Sequence, residues 1–99
     1  MSAMSLRVVA RIKARSETVS EVRELLSSLV EPTRQESGCI TYELLQNRED
    51  PTDFTFVEEW ESEEALASHA VSDHLIAIRA ELKSVAEGPP DIRTYRLVK

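Results

Sequence analysis

Residues 39–60, CITYELLQNREDPTDFTFVEEW, carry the pattern that decides the fold. Side chains alternate faces along a strand, so Ile40, Tyr42 and Leu44 share one face and Thr41, Glu43 and Leu45 the other. Phe54, Phe56, Glu58 and Trp60 likewise share a face. Between the two runs, Asn47-Arg48-Glu49-Asp50-Pro51-Thr52-Asp53 is polar and turn-rich, the composition of a hairpin loop.

Working outward, residues 6–14 alternate as well. Leu6, Val8, Ala10, Ile12 and Ala14 point one way, and Arg7, Val9, Arg11, Lys13 and Arg15 the other. This is a half-buried strand with a basic second face. Thr18-Val19-Ser20-Glu21 reads as a capping box, and Val19, Val22, Leu25, Leu26, Leu29 and Val30 follow at helical spacing. Pro32 is placed to kink or shorten that helix, and Gly38 to end the segment in a left-handed turn. Beyond the hairpin, Ser62 followed by Glu63-Glu64 opens a short helix to about His69. Ser72-Asp73 caps a second helical stretch with Leu75, Ile78, Leu82 and Val85 as its apolar positions, and Gly88-Pro89-Pro90 stops it. Residues 92–98 form a last strand, with Tyr95 and Leu97 opposite Ile92, Thr94, Arg96 and Val98. The order β-α-β-β-α-β, with right-handed crossovers, predicts an α+β, ferredoxin-like plait: a four-stranded antiparallel sheet with helices on one face. The uncovered face keeps Val9 and charges of both signs. There Arg7, Arg11 and Lys13 either meet Glu43 and Glu59 or stay solvated. A second copy of the chain is the expected cover, giving a homodimer through sheet faces.

The chain has 99 residues, enough for one domain, expected over residues 5–99. A core this small often needs help, and the lone Cys39 excludes an internal disulfide and argues against a zinc cluster, which leaves a partner subunit. A formal net charge of −6 speaks against nucleic acid and anionic membranes as partners. Met1-Ser2-Ala3-Met4-Ser5 lacks the basic region and apolar run of an export signal, and no stretch is apolar enough to span a bilayer, so a cytoplasmic location is expected.

Glu36-Ser37-Gly38-Cys39-Ile40-Thr41-Tyr42 resembles a pattern of Glu, any residue, Gly, Cys, aliphatic, any residue, Tyr. Glu59-Trp60 resembles a strand-three Glu-Trp, and Glu64-Ala65-Leu66-Ala67-Ser68-His69 an acidic-Ala-Leu-x-x-His helix, followed by Ser72-Asp73-His74. In this order and spacing the chain resembles the antibiotic biosynthesis monooxygenase family of dimeric α+β barrels, nearest to its quinol monooxygenases. The resemblance implies a homodimer with one pocket per subunit between sheet and helices. It also implies oxygenation of phenolic or quinol substrates without flavin, haem or metal. Two departures matter. Antibiotic-pathway members use an Asn four residues before the strand-three Trp, where this chain has Phe56. Haem-degrading members need an Asn on strand one, a Trp on the second helix and a haem-ligating His; here the only Asn is Asn47, and His69 and Arg79 occupy the other two places. Haem degradation is therefore not expected, and the family's isomerases and non-catalytic members stay open.

Cofactor-free oxygenation needs a base, a hydrogen-bond donor for the anion and a dry aromatic pocket. His69 is the candidate base, since imidazole exchanges protons near neutrality. Trp60 and Tyr42 are candidate donors that position the substrate, and Phe56 a pocket wall, although all three also suit plain core packing. Glu59 is placed to orient a catalytic group or to serve as a structural charge. His74 is a further substrate-binding candidate. It lies five residues after His69, about 140° further round a continuous helix, so the two need not converge and no metal is expected. The leading function is a cofactor-independent monooxygenase of a small aromatic quinol or phenol. The alternatives are an isomerase or tautomerase of a small carbonyl compound, and a non-catalytic dimeric binding or stress-response module. An inward His69 over a cavity favours an enzyme; a filled core with His69 in solvent favours the module.

Overall fold

The computed structural model describes residues 5–99. Met1 to Met4, on which the expectation of no export signal rests, lie outside it. Strands β1 (Leu6–Lys13), β2 (Cys39–Gln46), β3 (Asp53–Trp60) and β4 (Asp91–Arg96) form one sheet in the order β2-β3-β1-β4, every pairing antiparallel. Helices α1 (Val19–Ser27), α2 (Val30–Arg34), α3 (Glu63–Ala70) and α4 (Asp73–Leu82) complete the ferredoxin-like plait. Among the described residues no helix is long and apolar enough to cross a membrane.

The inward face of the sheet follows the alternation in the sequence. Val8, Ala10, Ile12 and Ala14 from the first strand region and Phe54, Phe56, Glu58 and Trp60 from β3 are all buried, against Val22, Leu26 and Leu29 from the α1 side. The first helix breaks after Ser27. Leu29 N–H turns to the carbonyl of Leu26, three residues back, and α2 starts afresh at Val30. The cause is Pro32, whose ring clashes with the carbonyl four residues earlier, that of Ser28.

Three local expectations need correction. Thr18 does not cap α1 with its side chain. Its hydroxyl accepts from the Arg15 N–H (3.0 Å) and donates to the Val85 carbonyl (2.6 Å), tying the start of α1 to the segment after α4. Ser72 sits at the α4 cap, but its hydroxyl donates to the carbonyl of His69 (2.7 Å); Ser62 does cap α3, accepting from Ala65 N–H at 3.1 Å. Ile40 does not share a face with Tyr42. The register slips between Cys39 and Thr41, so Ile40 is an extra residue and faces solvent, while Cys39 packs against the core.

On the other sheet face, Arg7 pairs with Glu59 (3.6 Å), as expected. Arg11 and Lys13 turn instead to Asp53 (3.1 Å) and Asp50 (3.4 Å). Glu43 makes no such pair among the described residues, because β3 lies between β1 and β2. Strand β4 ends at Arg96, short of the expected residue 98, and is exposed along its whole length.

Gly38 has φ of +87°, as its place after the helix demands, and a Cβ there would collide with that of Ala65 on α3. Gly88 has the same φ with open space around it. Gly38→Ala therefore meets both backbone strain and overpacking and is expected to cost about 2–4 kcal/mol, against about 1–2 kcal/mol for Gly88→Ala. Paired urea-denaturation curves check this ranking.

Candidate functional site

Helix α4 has no fully buried residue. Its inward side chains Leu75 and Leu82 do not fill the space over the sheet, and an almost wholly apolar cavity of about 300 Å³ remains there. The floor is Val8, Ala10 and Ile12 of β1 with Phe56 of β3; Tyr42 of β2 and Leu66 of α3 form walls. The polar side chains reaching it are Tyr42, Glu58, His69 and Arg79.

His69 is buried, 5% exposed, in the last turn of α3. Its ring lies 4.7 Å from that of Trp60 and 5.6 Å, edge-on, from that of Tyr42. Nδ1 is 2.8 Å from Oε2 of Glu36. In the neutral ring, a hydrogen on Nδ1 shared with this carboxylate leaves Nε2 with its lone pair. The same Glu36 oxygen lies 2.6 Å from Nε2 of His74. The two histidines thus converge, against the helical arithmetic. The chain changes direction between the end of α3 at Ala70 and the start of α4 at Asp73, so the rings do not follow one helix.

Glu58 is the second carboxyl, 4% exposed and lining the cavity. Trp60 donates its indole N–H to Oε1 at 2.8 Å. Burial drives the Glu58 pKa up to about 7; the indole hydrogen bond pulls against this and the charge of Glu36 adds to it. Burial, then the charge of Glu58, lifts the Tyr42 phenol far above its usual range, so it stays a neutral donor. Tyr42 also stacks on Phe56, with centroids 4.7 Å apart. Burial first, and then Glu36 and Glu58, raise the Cys39 thiol.

The expected site residues therefore divide. His69, Tyr42 and Phe56 meet at the cavity. Trp60 stands behind His69, and its N–H is taken by Glu58, so it does not serve as a substrate donor. His74 contacts Glu36 and is not part of the cavity lining. Glu59 does not orient a group in the cavity either. It faces the opposite side of the sheet, where Ser5 (2.6 Å) and Arg7 hold it. Glu36 and Glu58 had no expected role. A signal for Glu58 was present: a carboxyl on a strand face otherwise made of Phe54, Phe56 and Trp60.

A plait with a buried imidazole, a raised carboxyl and an apolar cavity defines a small-ligand protein of the ferredoxin-like class. Residues 5–81 match the family described as antibiotic biosynthesis monooxygenase, and the chain belongs to that family. The Rv0793 protein of Mycobacterium tuberculosis, provisionally named a monooxygenase, is 33% identical over 82 residues, covering 83% of this chain and 80% of its own. A conserved protein of Methanosarcina mazei has a solved structure with TM-score 0.87 and 38% identity, covering 94% of this chain and 92% of its own. The PA3566 structure from Pseudomonas aeruginosa has TM-score 0.94 at 25% identity, over 100% and 99% of the two chains. Family and named relatives together support a monooxygenase-type function.

Glu58 gives the protein a pH signature. Its folded pKa is raised, so the folded state holds a proton that the unfolded chain has released. This contribution is fully present below the ordinary value of 4.5 and is lost as pH rises through about 7. Glu58→Gln keeps an acceptor for Trp60 and removes the titration. The variant's stability relative to wild type is expected to climb between those pH values by on the order of 3 kcal/mol. Denaturant midpoints taken every half pH unit measure the climb, and parallel curves would contradict it.

Proposed function

We propose that this chain is a monooxygenase of a small, electron-rich aromatic hydroxyl compound, a quinol or related phenol, acting without a bound cofactor. The observation that carries the reading is His69, held by Glu36 at Nδ1 and lining an apolar cavity large enough for one aromatic ring system. That arrangement also favours an enzyme over a passive module.

The chemistry needs little machinery. Nε2 of His69 takes the hydroxyl proton, and the resulting anion is electron-rich enough to pass one electron to dioxygen. The two radicals combine into a ring-bound peroxide. Loss of water then leaves one oxygen atom on the ring, as a hydroxyquinone, and sends the other out in water. The substrate supplies every electron. Tyr42 hydrogen-bonds the substrate oxygen, Phe56 stacks against the ring, and the apolar walls keep bulk water from the peroxide. Trp60 packs behind His69 and limits its movement.

Oxygen uptake with reduced naphthoquinols and benzoquinols, against the autoxidation blank, tests the reading. Wild type is expected to exceed the blank, and His69→Gln to lose about 10²–10⁴-fold of the enzymatic rate. Uptake at the blank level across the panel would defeat the quinol assignment.

The same reading includes a homodimer. The outward sheet face leaves Ile40, Leu45 and Val57 exposed beside the Arg7–Glu59 pair, and a twofold partner laid across it would cover them. Sedimentation at micromolar concentration is expected to give the mass of two chains; the mass of one chain would overturn it.

A further inference from the structure

Glu36, His69 and His74 do more than hold a ring in place. We propose that they form a site for one divalent transition-metal ion of the zinc, cobalt or nickel kind, and that filling it switches His69 from acceptor to donor. The switching half rests on the reading of His69 as the base; the site itself does not.

The three side chains come from three places in the fold. Glu36 lies in the turn after α2, His69 in the last turn of α3 and His74 in the first turn of α4. One ligand atom from each, Oε2 of Glu36, Nδ1 of His69 and Nε2 of His74, gives a set within 4.8 Å of one another. Two imidazoles and a carboxylate are a nitrogen–oxygen set suited to zinc and its neighbours. Bonds of about 2.0–2.1 Å in a tetrahedron put ligand atoms about 3.3 Å apart. The observed 2.8 and 2.6 Å therefore open by about half an ångström or slightly more, and the two nitrogens, within 4.8 Å of each other, settle to a similar spacing.

Burial and charge point the same way. The side chains of His69, Glu36 and His74 are 7%, 15% and 27% exposed, so the cluster grades from core to surface. His74, the most exposed of the three, faces the surface, and sites with three protein ligands commonly take water as the fourth. Among the described residues, the only ion-pair partners of Glu36 are the two histidines, which in their neutral form bring no charge to match it. A dication answers that charge, where two neutral N–H groups do not.

The consequence for His69 follows from its two nitrogens. With Nδ1–H on Glu36, Nε2 has a lone pair to accept a substrate proton. When Nδ1 gives its lone pair to a metal, the ring hydrogen moves to Nε2, and the nitrogen left to the substrate becomes a donor. His74 undergoes the mirror change, its hydrogen moving from Nε2 to Nδ1. No electron is transferred, and from two neutral imidazoles only the tautomers change. The filled site leaves the pocket intact and removes its base.

Metal-stripped, tag-free protein titrated with Co²⁺ tests the site through its visible d–d absorption, with Zn²⁺ as competitor. One ion per subunit is expected, together with a higher melting temperature. His74→Ala and Glu36→Gln should each weaken binding at least tenfold, since even outer-shell changes cost about 10–100-fold in metal affinity. Glu59→Gln, on the other sheet face, should bind as wild type does. His74 is the least buried of the three, so its variant carries the test if Glu36→Gln does not fold. Absence of stoichiometric Co²⁺, or equal binding by wild type and His74→Ala, would overturn the site. Oxygen uptake by metal-free protein is measured before any ion is added, so a failure of the base reading is seen separately. Stoichiometric Zn²⁺ that leaves that uptake unchanged would overturn the switch.

Discussion

The contact between Gly38 and Ala65 is the constraint on which the site depends. Gly38 takes a positive φ, lacks a side chain, and accepts a hydrogen bond at its carbonyl from the Glu61 N–H (2.8 Å). The turn after α2 can therefore lie directly against α3. Glu36, two residues earlier, is thereby carried to the far end of that helix, where His69 lies in the last turn of α3 and His74 in the first turn of α4. A side chain at position 38 would push the turn away and separate the carboxylate from both imidazoles. The hydrogen bonds of the cluster are consequences of a backbone approach that only glycine permits.

Strands and their inward faces were legible because burial on one face enforces a period of two. Phe54, Phe56, Glu58 and Trp60 could not change register without exposing three aromatic rings. Gly38 was legible for the same kind of reason, since few residues accept its backbone angle. The failures share a cause as well. Thr18 has the local form of a capping residue, yet its hydroxyl is used by Val85, 67 positions away, and local pattern carries no record of such a partner. Ile40 fits the alternation but sits in a bulge, where one extra residue reverses the face of its neighbours.

The candidate site was half legible. His69 stood out by its chemistry, and Tyr42 and Phe56 by their faces. What joined them was hidden in the geometry. Periodicity placed His74 well away from His69 because it assumes one unbroken helix, and the chain bends between Ala70 and Asp73. Glu36 belonged to a recognisable motif, but its role exists only once two helix ends meet over it. Glu58 lies on an apolar face, beside Glu59, its neighbour on the opposite face. In a strand, adjacent carboxyls inhabit different media: Glu59 is paired at the surface, while burial raises the pKa of Glu58 in the interior.

The position of β1 at the centre of the sheet has a consequence for the order of synthesis. Its neighbours are β3 and β4, so Leu6 lies opposite Trp60 on one side and Arg96 on the other. During translation β1 emerges first and waits with both edges unpaired until β3 arrives. One edge then stays open until residues 91–96 leave the ribosome. A strand with an unsatisfied backbone edge is a template for wrong pairing. The basic outward side chains Arg7, Arg11 and Lys13 sit on the segment with the longest wait, and their acidic partners Glu59, Asp53 and Asp50 are made only later.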